Sequence, residues 1–184
     1  KLKKIKAILI MYNGGYPENA EKFYKFKKKF NCSIIEDACH AFGASYKFKN
    51  KMFKIGSCKH ADISTFSFHP LKTITTAEGG IVTTNSKKIF NSLKLLRSLG
   101  LDRRKYHWKY DIKNYGLNFR LNELQSALGI SQLKKINLFI SKRKKIYQLY
   151  RKELKNIPGL SFPNYSKKYF SSYHLCLMKI NTSK

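Results

Sequence analysis

The chain has 184 residues, 42% of them hydrophobic, which suffices for one core and the start of a second domain. No run approaches the roughly 18 consecutive apolar residues of a membrane span, and no signal-peptide pattern is visible, so the expectation is a cytosolic protein. The formal charge of +28 raises nucleic acid or anionic lipid as partners. Thirty-two of the 38 basic residues are lysines scattered from end to end, and only six are arginine, the residue that forks phosphates and reads bases. Phe, Tyr, Ile, Asn and Lys are all abundant, as A+T-rich codons would supply them, which favours compositional bias over a selected polyanion surface. The basic run Lys142 to Lys145 lies within a predicted helix, where it reads as a solvated face. Cys32, Cys39, Cys58 and Cys176 lie far apart with no C-x-x-C pair, so reduced thiols are expected, without a zinc site or a disulfide framework.

In chain order, Lys1 to Lys6 is a basic lead into a strand over Ala7 to Tyr12, followed by a turn at Gly14-Gly15 and Pro17. Glu18 to Phe30 has helical spacing, with Ala20, Phe23 and Phe26 on one stripe, and Cys32 to Ile35 is a second short strand. Strand, helix and strand in this order are the βαβ signature of a parallel sheet, and Asp37 falls just past the carboxyl end of its strand, where open α/β sheets bind ligands. Tyr46 to Phe53 reads as a hairpin around Lys49-Asn50, closing onto Gly56.

The stretch Ala61 to Thr84 carries the most information. Ile63 to Ser67 and Ile81 to Thr84 read as two buried strands; Pro70 forbids a helix between them and Gly79-Gly80 turns the backbone back. Lys72 then sits on a constrained loop, where an amine is held partly desolvated and is more easily deprotonated, the setting of a Schiff-base lysine. In a chain so rich in lysine the position alone says little, and its surroundings have to carry the inference.

Beyond it, Lys87 to Leu99 is a predicted amphipathic helix with Ile89, Leu93 and Leu96 inward and Gly100 past its end. Asp102 to Leu117 has no period and holds Tyr106, Trp108, Tyr110 and Tyr115, as functional or interfacial loops do. Asn122 is the N-cap of a helix to about Lys135, and a second helix runs from about Asn137 to Leu154, with Leu133, Ile136, Ile140 and Tyr147 apolar. The two form an antiparallel pair or a bent rod leading away from the sheet. Ile157-Pro158-Gly159 marks a domain boundary, and Tyr173 to Ile180 reads as a strand.

Three ordered segments resemble the DegT/StrS-type sugar aminotransferases, which use pyridoxal phosphate (PLP). Ser67-Phe68-His69-Pro70-Leu71-Lys72 with Thr76-Ala77-Glu78-Gly79-Gly80 is similar to that family's lysine loop. Ile34 to Ala44, with Glu36-Asp37-Ala38-Cys39-His40, is similar to its aspartate segment. Tyr115 to Leu121 and Gln125 to Gly129 are similar to its Gly-Tyr-Asn-Tyr-Arg region and the following helix.

The resemblance implies an α/β fold belonging to fold type I of the PLP-dependent transferases, a mainly parallel sheet with flanking helices. Residues 1–156 would be part of the large PLP-binding domain and 157–184 the start of a small C-terminal α+β domain. Enzymes of the family are longer, so the chain is expected to be an internal fragment lacking the phosphate-cradling loop and the ring-stacking aromatic. Alone, it should bind PLP weakly or not at all and be inactive. The implied activity is transfer of an amino group, with glutamate as donor, to a nucleotide-linked 4-keto-6-deoxy sugar for glycan biosynthesis.

The implied roles follow residue by residue. Lys72 holds the cofactor and moves the proton; Asp37 pairs with the pyridinium nitrogen, with Glu36 and Asp62 as rivals on charge and a turn or cap as the plainer role. His40 would lie near the phenolic oxygen or be a backbone-satisfied structural histidine, and Ser67 would donate to the phosphate. Asn118 would reach the phosphate of a neighbouring subunit, making the enzyme at least a homodimer with shared sites, and Arg120 would serve that interface or cap the next helix. His69 would order the loop. Two other readings stay open: a non-catalytic polyanion-binding protein, and an inactive truncated family member.

Overall fold

The computed structural model describes residues 5–17, 19–102 and 108–182. Its first half folds as β1 (Ala7–Met11), α1 (Ala20–Phe30), β2 (Ser33–Asp37), the hairpin β3 (Ser45–Phe48) and β4 (Lys51–Lys54), then β5 (Ile63–Ser67) and β6 (Gly80–Thr83). The second half contributes α2 (Lys87–Arg97), β7 (Leu101–Asp102), β8 (Asp111–Ile112), α3 (Glu123–Leu133) and α4 (Ile136–Glu153), then β9 (Leu160–Ser161), β10 (Tyr169–Phe170) and β11 (Lys179–Ile180).

The central sheet has the order β1-β2-β5-β6. β1, β2 and β5 run parallel, with Leu9 opposite Ile35 and Ile35 opposite Ile63, because helical and loop crossovers return the chain to the same end each time. β6 runs back antiparallel, with Ser67 opposite Gly80, as a hairpin return must. The expected mainly parallel sheet is therefore present, and its one reversed strand is the far arm of the lysine loop.

The core lies on one side of this sheet, where Ile10, Ile34, Ala38 and Phe66 meet Tyr12, Ala41, Tyr46, Phe68 and Ile74. Glu36 is buried among them at 2% exposure, and hydroxyls surround it: Tyr12 donates at 2.9 Å, and Tyr24 and Ser64 also donate. A buried carboxylate survives only with such donors. The inward face of α1 is consequently Ala20 and Tyr24, with Phe23 half-buried and Phe26 exposed, in place of the expected Ala20, Phe23 and Phe26 stripe. Glu18, the expected first residue of that helix, lies outside the described residues.

Three further expectations change. β6 is exposed, with Ile81 and Val82 at 45% and 42%, and it is the edge strand of the central sheet. The segment from Asp102 to Leu117 contains β8, which pairs antiparallel with β7 at the segment's start; Tyr106 lies outside the described residues. Of the predicted strand Tyr173 to Ile180 only β11 forms, because the backbone N–H groups of Ser172, His174 and Leu175 bond to Gly15 and Gly14 and not to a strand ladder.

Asn122 caps α3 with a capping box completed by Gln125, and α3 and α4 make a bent rod in which Lys134 keeps helical dihedrals. The rod does not simply leave the sheet: Ile136 and Phe139 pack on the core, and a Cβ at Gly43 would stand 3.1 Å from the Ile136 Cδ1. β10 extends the β3–β4 hairpin through β3, and β9 pairs with β11.

Candidate active site

The lysine loop is closed at its mouth and plugged into the core. Phe68 N–H donates to the Gly79 carbonyl at 2.8 Å, and the Phe68 carbonyl accepts from Thr76 N–H and Thr75 Oγ1 at 3.0 and 2.9 Å. Thr73, Ile74 and Thr76 are buried, which leaves Lys72 half-buried at the turn, its N–H donating to the His69 carbonyl at 2.9 Å. α3 packs over the loop from outside, its Gly129 against Thr76 and its Gln125 amide donating to the Glu78 carbonyl at 3.0 Å. His69 belongs to the loop's own bonding: its Nδ1 accepts from Leu71 N–H at 3.3 Å and its Nε2 stands 3.9 Å from Glu78.

Asp37 ends β2, next to β5 in register with Thr65, and its Oδ1 accepts from Cys39 N–H at 3.1 Å. Its two rivals are committed elsewhere. Glu36 points into the core among hydroxyls, while Asp62 pairs with Lys27 at 2.6 Å and accepts from Ile34 N–H at 2.9 Å. Alternation along β2 sends Glu36 and Asp37 to opposite faces.

Lys72 and Asp37 act on the same two groups. Burial pushes the Cys39 thiol up to about 11; Asp37 adds to the rise and the Lys72 ammonium opposes it. Burial first, then Lys72, lowers the pKa of His40, against the pull of Asp37. Lys72 and Asp37 are thus both near enough to Cys39 and His40 to act on their charge, and no carboxylate among the described residues lies within ion-pair distance of Lys72. Ser67 ends β5 at the same rim, its Oγ accepting from His69 N–H at 3.3 Å.

Asn118 stands apart from these four. It is exposed, bridges Ser98 across the strand-like segment before α3, and accepts from Arg120 N–H at 3.4 Å. Two residues with no expected role also lie at this site: Cys39, beside Asp37 and Ser67, and His174, whose ring centroid lies 4.3 Å from that of His40. His174 is carried in from more than a hundred residues downstream, and no periodicity could have placed it.

A profile of the DegT/DnrJ/EryC1/StrS aminotransferase family matches residues 2–184. The chain belongs to this family. Among relatives of this DegT/StrS-type chain, the UDP-4-amino-4,6-dideoxy-N-acetyl-beta-L-altrosamine transaminase of Campylobacter jejuni is 40% identical over 174 residues, covering 93% of the chain and 44% of that protein. GDP-perosamine synthase of Escherichia coli O157:H7 is 33% identical over 181 residues, covering 98% of the chain and 47% of that enzyme. The structure of Helicobacter pylori PseC, an aminotransferase involved in the biosynthesis of pseudoaminic acid, superposes with a TM-score of 0.86 at 38% identity, covering 96% of the chain and 46% of PseC. The DegT/StrS-type chain therefore spans about half the length of the relatives it matches. No helix among the described residues is long and apolar enough to cross a membrane.

Proposed function

We propose that the chain is part of a PLP-dependent aminotransferase of the cytoplasm, moving an amino group from L-glutamate to a nucleotide-linked 4-keto-6-deoxy sugar for surface glycan synthesis. The observation that supports this reading is that Lys72 and Asp37 both act on Cys39 and His40 beyond the carboxyl ends of β2 and β5. An amine, a carboxylate, an imidazole and the Ser67 hydroxyl make up a donor set that fits PLP.

When bound, PLP supplies an electron sink for the carbanion formed beside the amino nitrogen. Lys72 would hold the cofactor through its amine and, with the amino donor bound in its place, would serve as the base and acid that moves a proton. Asp37 would pair with the ring nitrogen, His40 would bond the phenolic oxygen, and the Ser67 hydroxyl would donate to the phosphate. Asn118 serves the cofactor phosphate of a second copy, so the enzyme is a homodimer with shared sites. Residues 1–156 belong to the large PLP-binding domain and 157–184 begin the smaller one. Among possible sugars, identity to the altrosamine transaminase favours the substrate of the pseudaminic acid route over that of perosamine.

Borohydride reduction of the PLP-loaded full-length protein, followed by peptide mapping, tests this. The pyridoxyl group is expected on Lys72, and Lys72→Ala in that protein should lower turnover by about a thousandfold or more. Labelling of another lysine, or none, overturns the reading. A panel of nucleotide keto-sugars then ranks the substrates.

A further inference from the structure

We propose that His174 is a positioning residue of this site, seated by the Gly14-Gly15 turn so that its ring holds the ring of His40 in one orientation and one tautomer. The turn works as a clamp with two jaws. Gly14 N–H donates to His40 Nδ1 at 3.4 Å, while the Gly14 carbonyl accepts from His174 N–H and Leu175 N–H at 3.0 and 3.2 Å. Gly15 repeats the arrangement one residue on: its carbonyl accepts from Ser172 N–H at 3.1 Å and Ser171 Oγ at 3.0 Å, and Ser172 Oγ donates to the His40 carbonyl at 2.6 Å. Arg143 Nη1 holds the His174 carbonyl from α4 at 3.2 Å.

A neutral imidazole carries one proton, and a ring nitrogen that accepts an N–H cannot hold it. The Gly14 bond therefore puts the His40 proton on Nε2. His174 presses on this ring at 35° between planes, and its own Nδ1 is buried without a partner, so the ring is held by its backbone and by the face of His40. The charged and titratable groups acting on the pair are Lys72 and Asp37 on the sheet rim and Arg143 on α4. Burial first, and then the cations among these three, disfavour the charged form of both imidazoles and leave His40 able to donate through Nε2. That the donated bond goes to a cofactor oxygen rests on the function proposed above; the pairing itself does not.

Imidazole NMR of the full chain without cofactor, on the parent, His174→Ala and His174→Phe, separates the two claims. In the parent His40 should carry its proton on Nε2 and titrate below free histidine. In His174→Ala the tautomers should mix and the His40 titration move up toward the free value as water reaches the ring; His174→Phe, which keeps a flat neutral ring, should behave as the parent. With PLP added, His174→Ala should bind about tenfold more weakly and His174→Phe within about twofold of the parent. Identical His40 tautomer and titration in all three proteins overturns the proposal, whatever happens to PLP. A changed His40 in the chain, with no PLP bound by the full-length parent protein, supports the pairing and counts against the aminotransferase reading. If His174→Ala does not fold, His174→Gln carries the same comparison.

Discussion

Glu36 and Asp37 are neighbours on one strand and face opposite ways, Asp37 where β2 ends and Glu36 into the core. Nothing in the spacing of Tyr12, Tyr24 and Ser64 says that three hydroxyls meet on Glu36. Removing one of them by Tyr24→Phe leaves that carboxylate short of a donor and should cost about 1–3 kcal/mol in urea unfolding. Cys39 offers a chemical test: with its thiol pushed up to about 11, alkylation by iodoacetamide should be slow at pH 8 and accelerate near pH 11. Asp37→Asn removes one cause of that shift and should bring the reactive range lower. His174, lowered from 6.5 to about 4 by burial, His40, Lys72 and Arg143, links the site to stability. Between those values the unfolded chain binds a proton that the folded chain refuses, so stability is in place above pH 6.5 and is lost as the pH falls toward 4. The urea midpoint should drop across that window, and drop less in His174→Phe.

At the level of elements, the strands, the β3–β4 hairpin and the caps were readable because each is set by local pattern: Lys49 and Asn50 both take positive φ in the hairpin turn, and Asn122 makes its capping box. The segment after α4 departs from the expected strand because its apolar spacing suits a strand while its hydrogen bonds go to a turn far away in sequence. Gly15 decides that choice. It has φ +90, and a Cβ there would run into Ser172 Oγ and stand 2.6 Å from the His40 carbonyl oxygen. Gly15→Ala should therefore cost about 2–4 kcal/mol and free the segment 171–175, which protease nicking would detect.

For the whole molecule, family and fold were legible from three motifs in order, whereas the surfaces left bare were not. Tyr115 is 96% exposed, and Leu117, Phe119 and Leu124 beside it are exposed too, around the Asn118 that stands apart from the other site residues. If Asn118 completes a second copy's site, mixing inactive Lys72→Ala with inactive Asn118→Ala protein should restore about a quarter of parental activity, since half the dimers are mixed and each holds one intact site. No recovery would place Asn118 elsewhere.

The bond between Phe68 and Gly79 also limits how the protein can vary. Insertions and deletions between these two residues meet little slack, because the arms on either side are paired and Thr73, Ile74 and Thr76 are buried between them. One residue more or fewer would either unseat that buried segment or slide β6 by one step along β5, sending Ile81 and Val82 each to the other face. The amine at position 72 can therefore be exchanged with little disturbance to the fold, while its distance along the chain from Gly79 cannot.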